Sequence, residues 1–294
     1  MAKDTPFQEW NTLPDGKEGE YLTDRLTEES LKFIDQNKDK PFFLYLSHYA
    51  VHAPIQAIKS IEEKYANKPA DKIRGHHHAG YAAMLESVDN SMGALVAKLE
   101  KLGIADNTII IFASDNGGFG KVTSNYPFRG NKGNFYEGGI RVPLIIHWPG
   151  VTKQAETEVP VISADFYPTI FQMAGLPLMP NQHKDGLSLL PVLKNEGKLK
   201  RENLFWHFPN YVDFGHPNPS KPLSVIKNER YKLIESLEDG SLELYDLKED
   251  IKEEKNLIKE KPEVAARLQK QLAAWRKSTN VQMPEVNPDY QKKL

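Results

Sequence analysis

Two periods of apolar spacing divide this chain, and the change from one to the other marks its parts. Leu22, Leu26, Phe33 and Ile34 recur at helical spacing and predict a helix over about 21–36. Pro41-Phe-Phe-Leu-Tyr-Leu46 is a short continuous apolar run, the pattern of a strand buried on both faces. Tyr81, Met84, Leu85, Val88, Met92, Leu95, Val96, Leu99 and Leu102 step by three or four, and Gly103 closes that helix. It feeds a second apolar run, Thr108–Ala113, and a third follows over Val142–His147. Strand, helix and strand alternate there as in a parallel sheet. A helix over about Ala164–Ala174 ends at Gly175, and Leu187–Leu193 reads as a short helical turn.

After about residue 200 the period shortens. Leu204–Phe208, Leu223–Lys227, Tyr231–Glu235 and Leu242–Leu247 are strand-like runs in succession, the last two joined by Glu238-Asp-Gly-Ser241. Strands without intervening helices predict an antiparallel sheet, and Val264, Leu268, Leu272 and Trp275 place a terminal helix after Pro262. The expected fold class is therefore α/β. It has a mostly parallel central sheet flanked by helices over 1–200, and a small antiparallel sheet with a terminal helix over 201–294.

Composition changes this picture little. A chain of 294 residues can bury a sizeable core, and 39% apolar with 27% charged residues describes an ordinary globular protein. A net charge of −2 with interspersed signs points to neither nucleic acid nor a membrane surface as partner. The absence of cysteine removes disulfides, thiolate metal sites and a cysteine nucleophile. No signal-peptide core opens the chain, which reads as beginning partway through a larger protein.

The candidate chemistry sits where apolar runs end, because the carboxyl ends of strands are where open α/β sheets place ligands. Ser114-Asp115-Asn116-Gly117-Gly118 follows one such run. Asp115 and Asn116 offer hard oxygen donors suited to Ca²⁺ or Mg²⁺, but two donors do not complete a shell of six to eight; alone, the same letters also describe a turn. Lys132, between glycines in Arg129-Gly-Asn-Lys-Gly133, would bring an ammonium close to a bound oxyanion, or is one more solvated lysine. Glu137 and Arg141 read as an ion pair steering the chain into its next strand. His52, in Val-His-Ala-Pro beyond the Phe42–Leu46 run, could hydrogen-bond an anion or protonate a leaving oxygen; His48 lies four residues earlier. His76-His77-His78 resembles a metal tract but opens a helix, where three adjacent side chains splay apart. His207 lies among aromatics in Phe205-Trp-His-Phe-Pro209, where a sugar could stack or a core strand could pass.

Together these residues carry a resemblance. Phe42-Phe-Leu-Tyr-Leu with Val-His52-Ala-Pro, then Leu102-Gly-Ile-Ala-Asp-Asn-Thr108 leading to Asp115-Asn116-Gly-Gly, resemble the sulfatase family. So do Arg129-Gly-Asn-Lys132-Gly, Glu137-Gly-Gly-Ile-Arg-Val-Pro143, Trp148-Pro-Gly150, Tyr231-Lys-Leu-Ile-Glu, Glu243-Leu-Tyr-Asp-Leu247 and Asn287-Pro-Asp-Tyr290. The likeness is to enzymes of the arylsulfatase A and N-acetylgalactosamine-6-sulfatase type, within the alkaline phosphatase superfamily. It implies an alkaline-phosphatase-like fold and hydrolysis of sulfate monoesters, on sulfated carbohydrates or aryl sulfates, at a Ca²⁺ site by a formylglycine hydrate. On that basis Asp115 and Asn116 would be metal ligands. Lys132 would contact the sulfate, His52 the sulfate or the ester oxygen, and His207 the sugar. A periplasmic or secreted location also follows by family analogy.

One part of the pattern is missing. The family's nucleophile stretch, Cys or Ser followed by x-Pro-x-Arg, does not occur; Asn125-Tyr126-Pro127-Phe128-Arg129 comes nearest, with Asn in the nucleophile position. The expectation is thus the carboxyl-terminal part of a sulfatase, with half a calcium site and no turnover by itself. Its partners would be the rest of the fold or further copies of the chain. The alternatives are a catalytically inactive chain that binds sulfated glycans or a partner, and a related phosphohydrolase.

Overall fold

The computed structural model describes residues 13, 16–71, 74–76, 78–212, 220–285 and 287. The chain divides into two compact units, Met1–Lys68 with His78–Ala105, and Pro69–His77 with Asp106–Leu294. They do not follow a 1–200 and 201–294 partition, because side chains after residue 220 are bonded into the 129–137 segment of the same unit.

In the first unit, α1 (Leu22–Asn37) and α2 (Lys59–Ala66) both pack on α3 (Ala79–Lys101). Ile34, Ala83, Met84, Leu95 and Leu99 are buried, which accounts for the helical spacing. α2 buries no residue fully, and the apolar spacing predicts no helix there. His78 caps α3, its Nδ1 accepting from Tyr81 N at 3.2 Å, and Gly103 takes the left-handed φ of +70° just beyond the helix end.

The Pro41–Leu46 run corrects an expectation. It has no regular secondary structure and forms no strand ladder among the described residues. Its side chains alternate, with Phe42 edge-on to Phe33 at 5.9 Å while Phe43 and Tyr45 are 67% and 81% exposed. Without a strand on either side, one face of the run stays open rather than both being buried.

Behind it, His48 Nε2 lies 3.1 Å from Ser91 Oγ, which is 2.7 Å from Thr27 Oγ1. His48 Nδ1 is buried with no hydrogen-bond partner. Burial holds this imidazole below its ordinary range. A proton therefore binds the unfolded chain more readily, and stability falls as pH drops below about 6.5 until the folded ring itself protonates. Urea midpoints across that range should decline for the native chain and decline less for His48→Gln; parallel curves would remove His48 as the cause.

The second unit begins with β1 (Ile110–Ala113), α4 (Glu137–Ile140) and β2 (Leu144–His147). β1 and β2 pair antiparallel, Ile111 opposite Ile146, so the parallel pairing expected here is not formed among the described strands. Next come α5 (Phe166–Met173) and α6 (Leu190–Leu193), at the positions the apolar spacing predicts. Fully buried Asp165 precedes α5, accepts from Ile162 N and Leu187 N, and is met by both Nη atoms of Arg201.

β3 (Leu204–Phe208), β4 (Leu223–Lys227), β5 (Tyr231–Ser236) and β6 (Leu242–Asp246) form the expected antiparallel sheet in sequence order. α7 (Pro262–Thr279) covers one face, where Leu268 and Leu272 close a core with Ile226, Leu233 and Leu244. Strand alternation sends Val225, Ile234 and Tyr245 to the opposite face, against Phe135 and Tyr136. Lys227, Lys232 and Tyr245 share that face as cross-strand neighbours. The sheet is thus covered by a helix on one side and by the loop preceding α4 on the other.

Candidate functional site

The candidate residues of the second unit lie on loops tied together by their backbones. After β1 the chain turns through Ser114, whose Oγ donates to Asn116 O at 3.0 Å, while Asp115 Oδ1 accepts from Asn116 N at 2.9 Å. Asp115 is exposed. Gly117 N then donates to Gly139 O at 3.0 Å, Lys132 N to Gly118 O at 3.0 Å, and Gly138 N to Arg129 O at 2.7 Å. These bonds lace three segments, 114–118, 129–134 and 137–139, into one knot.

Small residues make the knot possible. A Cβ on Gly117 would fall far inside van der Waals contact of the Gly138 carbonyl oxygen, and one on Gly139 would do the same at Asn134 O. Asn125 clamps the arrangement from the side. Its Oδ1 accepts from Gly118 N at 2.8 Å, and its Nδ2 donates to Gly118 O and Gly130 O at 3.2 and 3.3 Å. Asn125, which begins the stretch nearest to the family's absent nucleophile motif, holds backbone here. Sequence reasoning did not find that role, because an Asn before Tyr-Pro carries no signal of which carbonyls it will reach.

The structure thus brings the Asp115-Asn116 turn and the Lys132 backbone into one neighbourhood. His52 belongs to the other compact unit; it is exposed, with Nδ1 2.7 Å from Ala53 O. Both ring nitrogens of His207 are engaged within the chain, Nδ1 with Ser224 Oγ and Nε2 with Gln282 O, each at 2.8 Å. His76 lies 3.4 Å from Thr123 Oγ1 and His78 caps a helix, while His77 falls outside the described residues. Among the described residues, no three of His, Cys, Asp and Glu converge as a metal cage. Asp115 and Asn116 match a hard divalent ion in donor type, but two oxygens fall short of the six to eight such an ion takes.

The comparisons with known proteins settle the family. A sulfatase family model matches residues 1–176, more than half of the chain. This chain belongs to the sulfatase family. A second family model, the carboxyl-terminal region of N-sulphoglucosamine sulphohydrolase, matches residues 130–278 of this sulfatase chain. A protein named sulfatase from Formosa agariphila is 40% identical over 281 residues, covering 87% of this chain and 50% of that one. The N-acetylgalactosamine-6-O-sulfatase of Bacteroides thetaiotaomicron is 26% identical over 276 residues, covering 85% and 50%. The crystal structure of Ps i-CgsB in complex with k-i-k-neocarrahexaose aligns with a TM-score of 0.76 at 30% identity, covering 92% and 58%. The chain spans about half the length of the curated relatives it matches. The likeness to solved sulfatases bears out the α/β, alkaline-phosphatase-like fold class with its small carboxyl-terminal antiparallel sheet and helix.

Beneath the sulfatase loops lies a buried charge network. Glu137, at the start of α4, is fully buried; Lys227 Nζ donates to its Oε2 at 2.8 Å and Lys232 Nζ lies 2.7 Å from its Oε1. Lys232 also donates to Glu253 Oε1 at 2.8 Å, and Glu253 Oε2 accepts from Glu137 N at 2.7 Å. Burial pushes the Glu137 carboxyl up, but Lys232 and Lys227 outweigh it and hold the group below its ordinary range. Glu253 goes the other way, since burial raises it and Lys232 offsets only part. Arg141 completes the expected pair, 3.7 Å from Glu137. That pair joins a larger buried set that the sequence did not reveal.

Proposed function

We propose that this chain is part of a sulfuric ester hydrolase acting on sulfated carbohydrates. One observation carries the reading: backbone hydrogen bonds place the Asp115-Asn116 turn and Lys132 within one glycine-packed knot, in a chain of the sulfatase family. The names of the relatives support the substrate class, because one acts on N-acetylgalactosamine 6-O-sulfate groups and another is complexed with a neocarrahexaose.

In this reading Asp115 and Asn116 supply two oxygen ligands to Ca²⁺, which when bound stabilises the negative charge of the sulfate group. Lys132 contributes a positive charge to the sulfate oxygens, and its flanking glycines let the backbone come close. The family resemblance would give His52 a donor role toward the sulfate or the ester oxygen that leaves. A formylglycine nucleophile, which these 294 residues do not encode, completes the site. Each would act on a tetrahedral monoanion whose charge is spread over three oxygens, so donors fixed in place before reaction are worth more than mobile ones.

The test has two parts. The 294-residue chain with added Ca²⁺ should not turn over an aryl sulfate; robust turnover would overturn the account of the nucleophile. Ca²⁺ should raise its melting temperature in a saturable way that Asp115→Ala removes, because a ligand of the native state stabilises by mass action. An identical rise in the variant would take Asp115 out of the metal site.

A further inference from the structure

Beside the Lys132 loop lies a cleft that none of these roles uses. Its volume is about 450 Å³, within the range of small-ligand sites, and Tyr126, Pro127, Arg129, Lys252, Glu253 and Glu254 line it. Tyr126, Pro127 and Arg129 belong to the stretch that runs on through Gly130 and Asn131 into Lys132. We propose that this cleft is a subsite for a second, sulfated sugar unit of the substrate. The proposal rests on the sulfated-carbohydrate reading and extends it to a neighbouring unit.

Three features favour a sulfated saccharide. Tyr126 is 47% exposed, offering the flat apolar face on which a sugar ring can lie. Lys252 Nζ stands 5.7 Å from the centre of that ring and forms no ion pair among the described residues. Its ammonium is therefore available to an anion lying on the ring. Arg129 is fixed in place. Its guanidinium lies 3.9 Å from the centre of the Tyr136 ring, and its Nη1 donates to Tyr245 Oη at 2.8 Å and Glu253 O at 3.0 Å. The nearest carboxylate, on Glu243, is 4.0 Å from it. A guanidinium held this way keeps further N–H donors in a fork that suits sulfate oxygens, at little loss of side-chain freedom on binding.

The two acids of the cleft do not cancel this. The Glu253 carboxylate is already taken up by Lys232 and by Glu137 N. Glu254 is exposed and would accept from sugar hydroxyls, which a simple inorganic anion lacks. An aromatic face, two cations and one acceptor thus match a sulfated sugar better than a bare anion.

The experiment uses the whole chain with Ca²⁺ and three probes: a sulfated neocarrageenan oligosaccharide, its desulfated counterpart, and inorganic sulfate. Binding is measured by calorimetry and by saturation-transfer NMR for the native chain, Tyr126→Ala, Lys252→Gln and Lys132→Ala. Tyr126→Ala and Lys252→Gln should each weaken the sulfated oligosaccharide about tenfold, a loss of about 1.4 kcal/mol, while inorganic sulfate binds as before. Lys132→Ala should weaken both. Oligosaccharide binding untouched by Tyr126→Ala and Lys252→Gln would overturn the subsite and leave the proposed function standing. Equal affinity for the desulfated sugar would also overturn it, because the two cations would then have no role. Oligosaccharide binding that depends on Tyr126 without any sulfate binding at Lys132 would uphold the subsite and sink the Lys132 assignment. Failure of the native chain to bind any probe would overturn both.

Discussion

Replacing Lys232 by methionine should lower the stability of the sheet-bearing unit by about 3–5 kcal/mol, the usual cost of leaving a buried charge without its partner. Lys232 is fully buried and bridges Glu137 and Glu253, and its Nζ also donates to Phe135 O at 3.2 Å. Glu137 would keep Lys227. Glu253 would keep no cation among the described residues, and its carboxyl, already raised by burial, would rise further and hold a proton in the folded state. The unfolded chain binds fewer protons above the ordinary glutamate range, so the cost of Lys232→Met should grow as pH rises from about 5 to 8. Urea unfolding followed by circular dichroism at those two pH values measures both effects. Lys232→Met with Glu253→Leu should recover much of the loss, because removing both partners leaves no orphaned charge. A single-variant cost below about 1 kcal/mol would mean that water reaches the network.

Gly139→Ala should be comparably severe and differently placed. The added methyl would overlap Asn134 O and lie 2.7 Å from Asn131 O, and both are backbone atoms that cannot rotate away. Overpacking of this kind costs about 3 kcal/mol or more when rigid backbone must move. The shift would be felt at once by Gly117 N, which donates to Gly139 O, and so by the turn carrying Asp115 and Asn116. Hydrogen exchange should show Gly117 and Lys132 amides opening faster in the variant while the β4–β5 ladder keeps its protection. Gly93→Ala in α3 is the control. Nothing lies within 4 Å of a Cβ there, so it should add about 0.5–1 kcal/mol of stability. Equal behaviour of the two variants would mean that the knot yields easily.

The fold was largely legible in the sequence, and the reasons it was not elsewhere are physical. Tyr231-Lys-Leu-Ile-Glu reads as a strand, and Leu233 does pack against α7. The same letters could not show that Lys232 faces a second buried layer. A lysine facing water and one facing two carboxylates look alike until Glu137 and Glu253 are brought beside it by distant chain. Pro41–Leu46 failed in the opposite sense. Six apolar or aromatic residues in a row read as buried on both sides, but a strand needs neighbours to bury it, and Phe43 and Tyr45 have none among the described residues.

The candidate site divides the same way. Donor chemistry at Asp115, Asn116 and Lys132 was legible because those side chains follow a strand and sit among glycines. Their proximity was not, since it depends on which carbonyl Lys132 N meets, and on Asn125 reaching two of them.

The bond between Gly117 N and Gly139 O should also slow a chemical change at this turn. Asn116-Gly117 is a dipeptide in which the following backbone nitrogen meets little steric hindrance in attacking the asparagine side-chain carbonyl, expelling ammonia to form a succinimide that water then opens to aspartate or isoaspartate. Attack requires the Gly117 nitrogen to turn toward the Asn116 side chain, but that nitrogen donates to Gly139 O. The fold that sets this amide in its place should therefore also hold that reaction back.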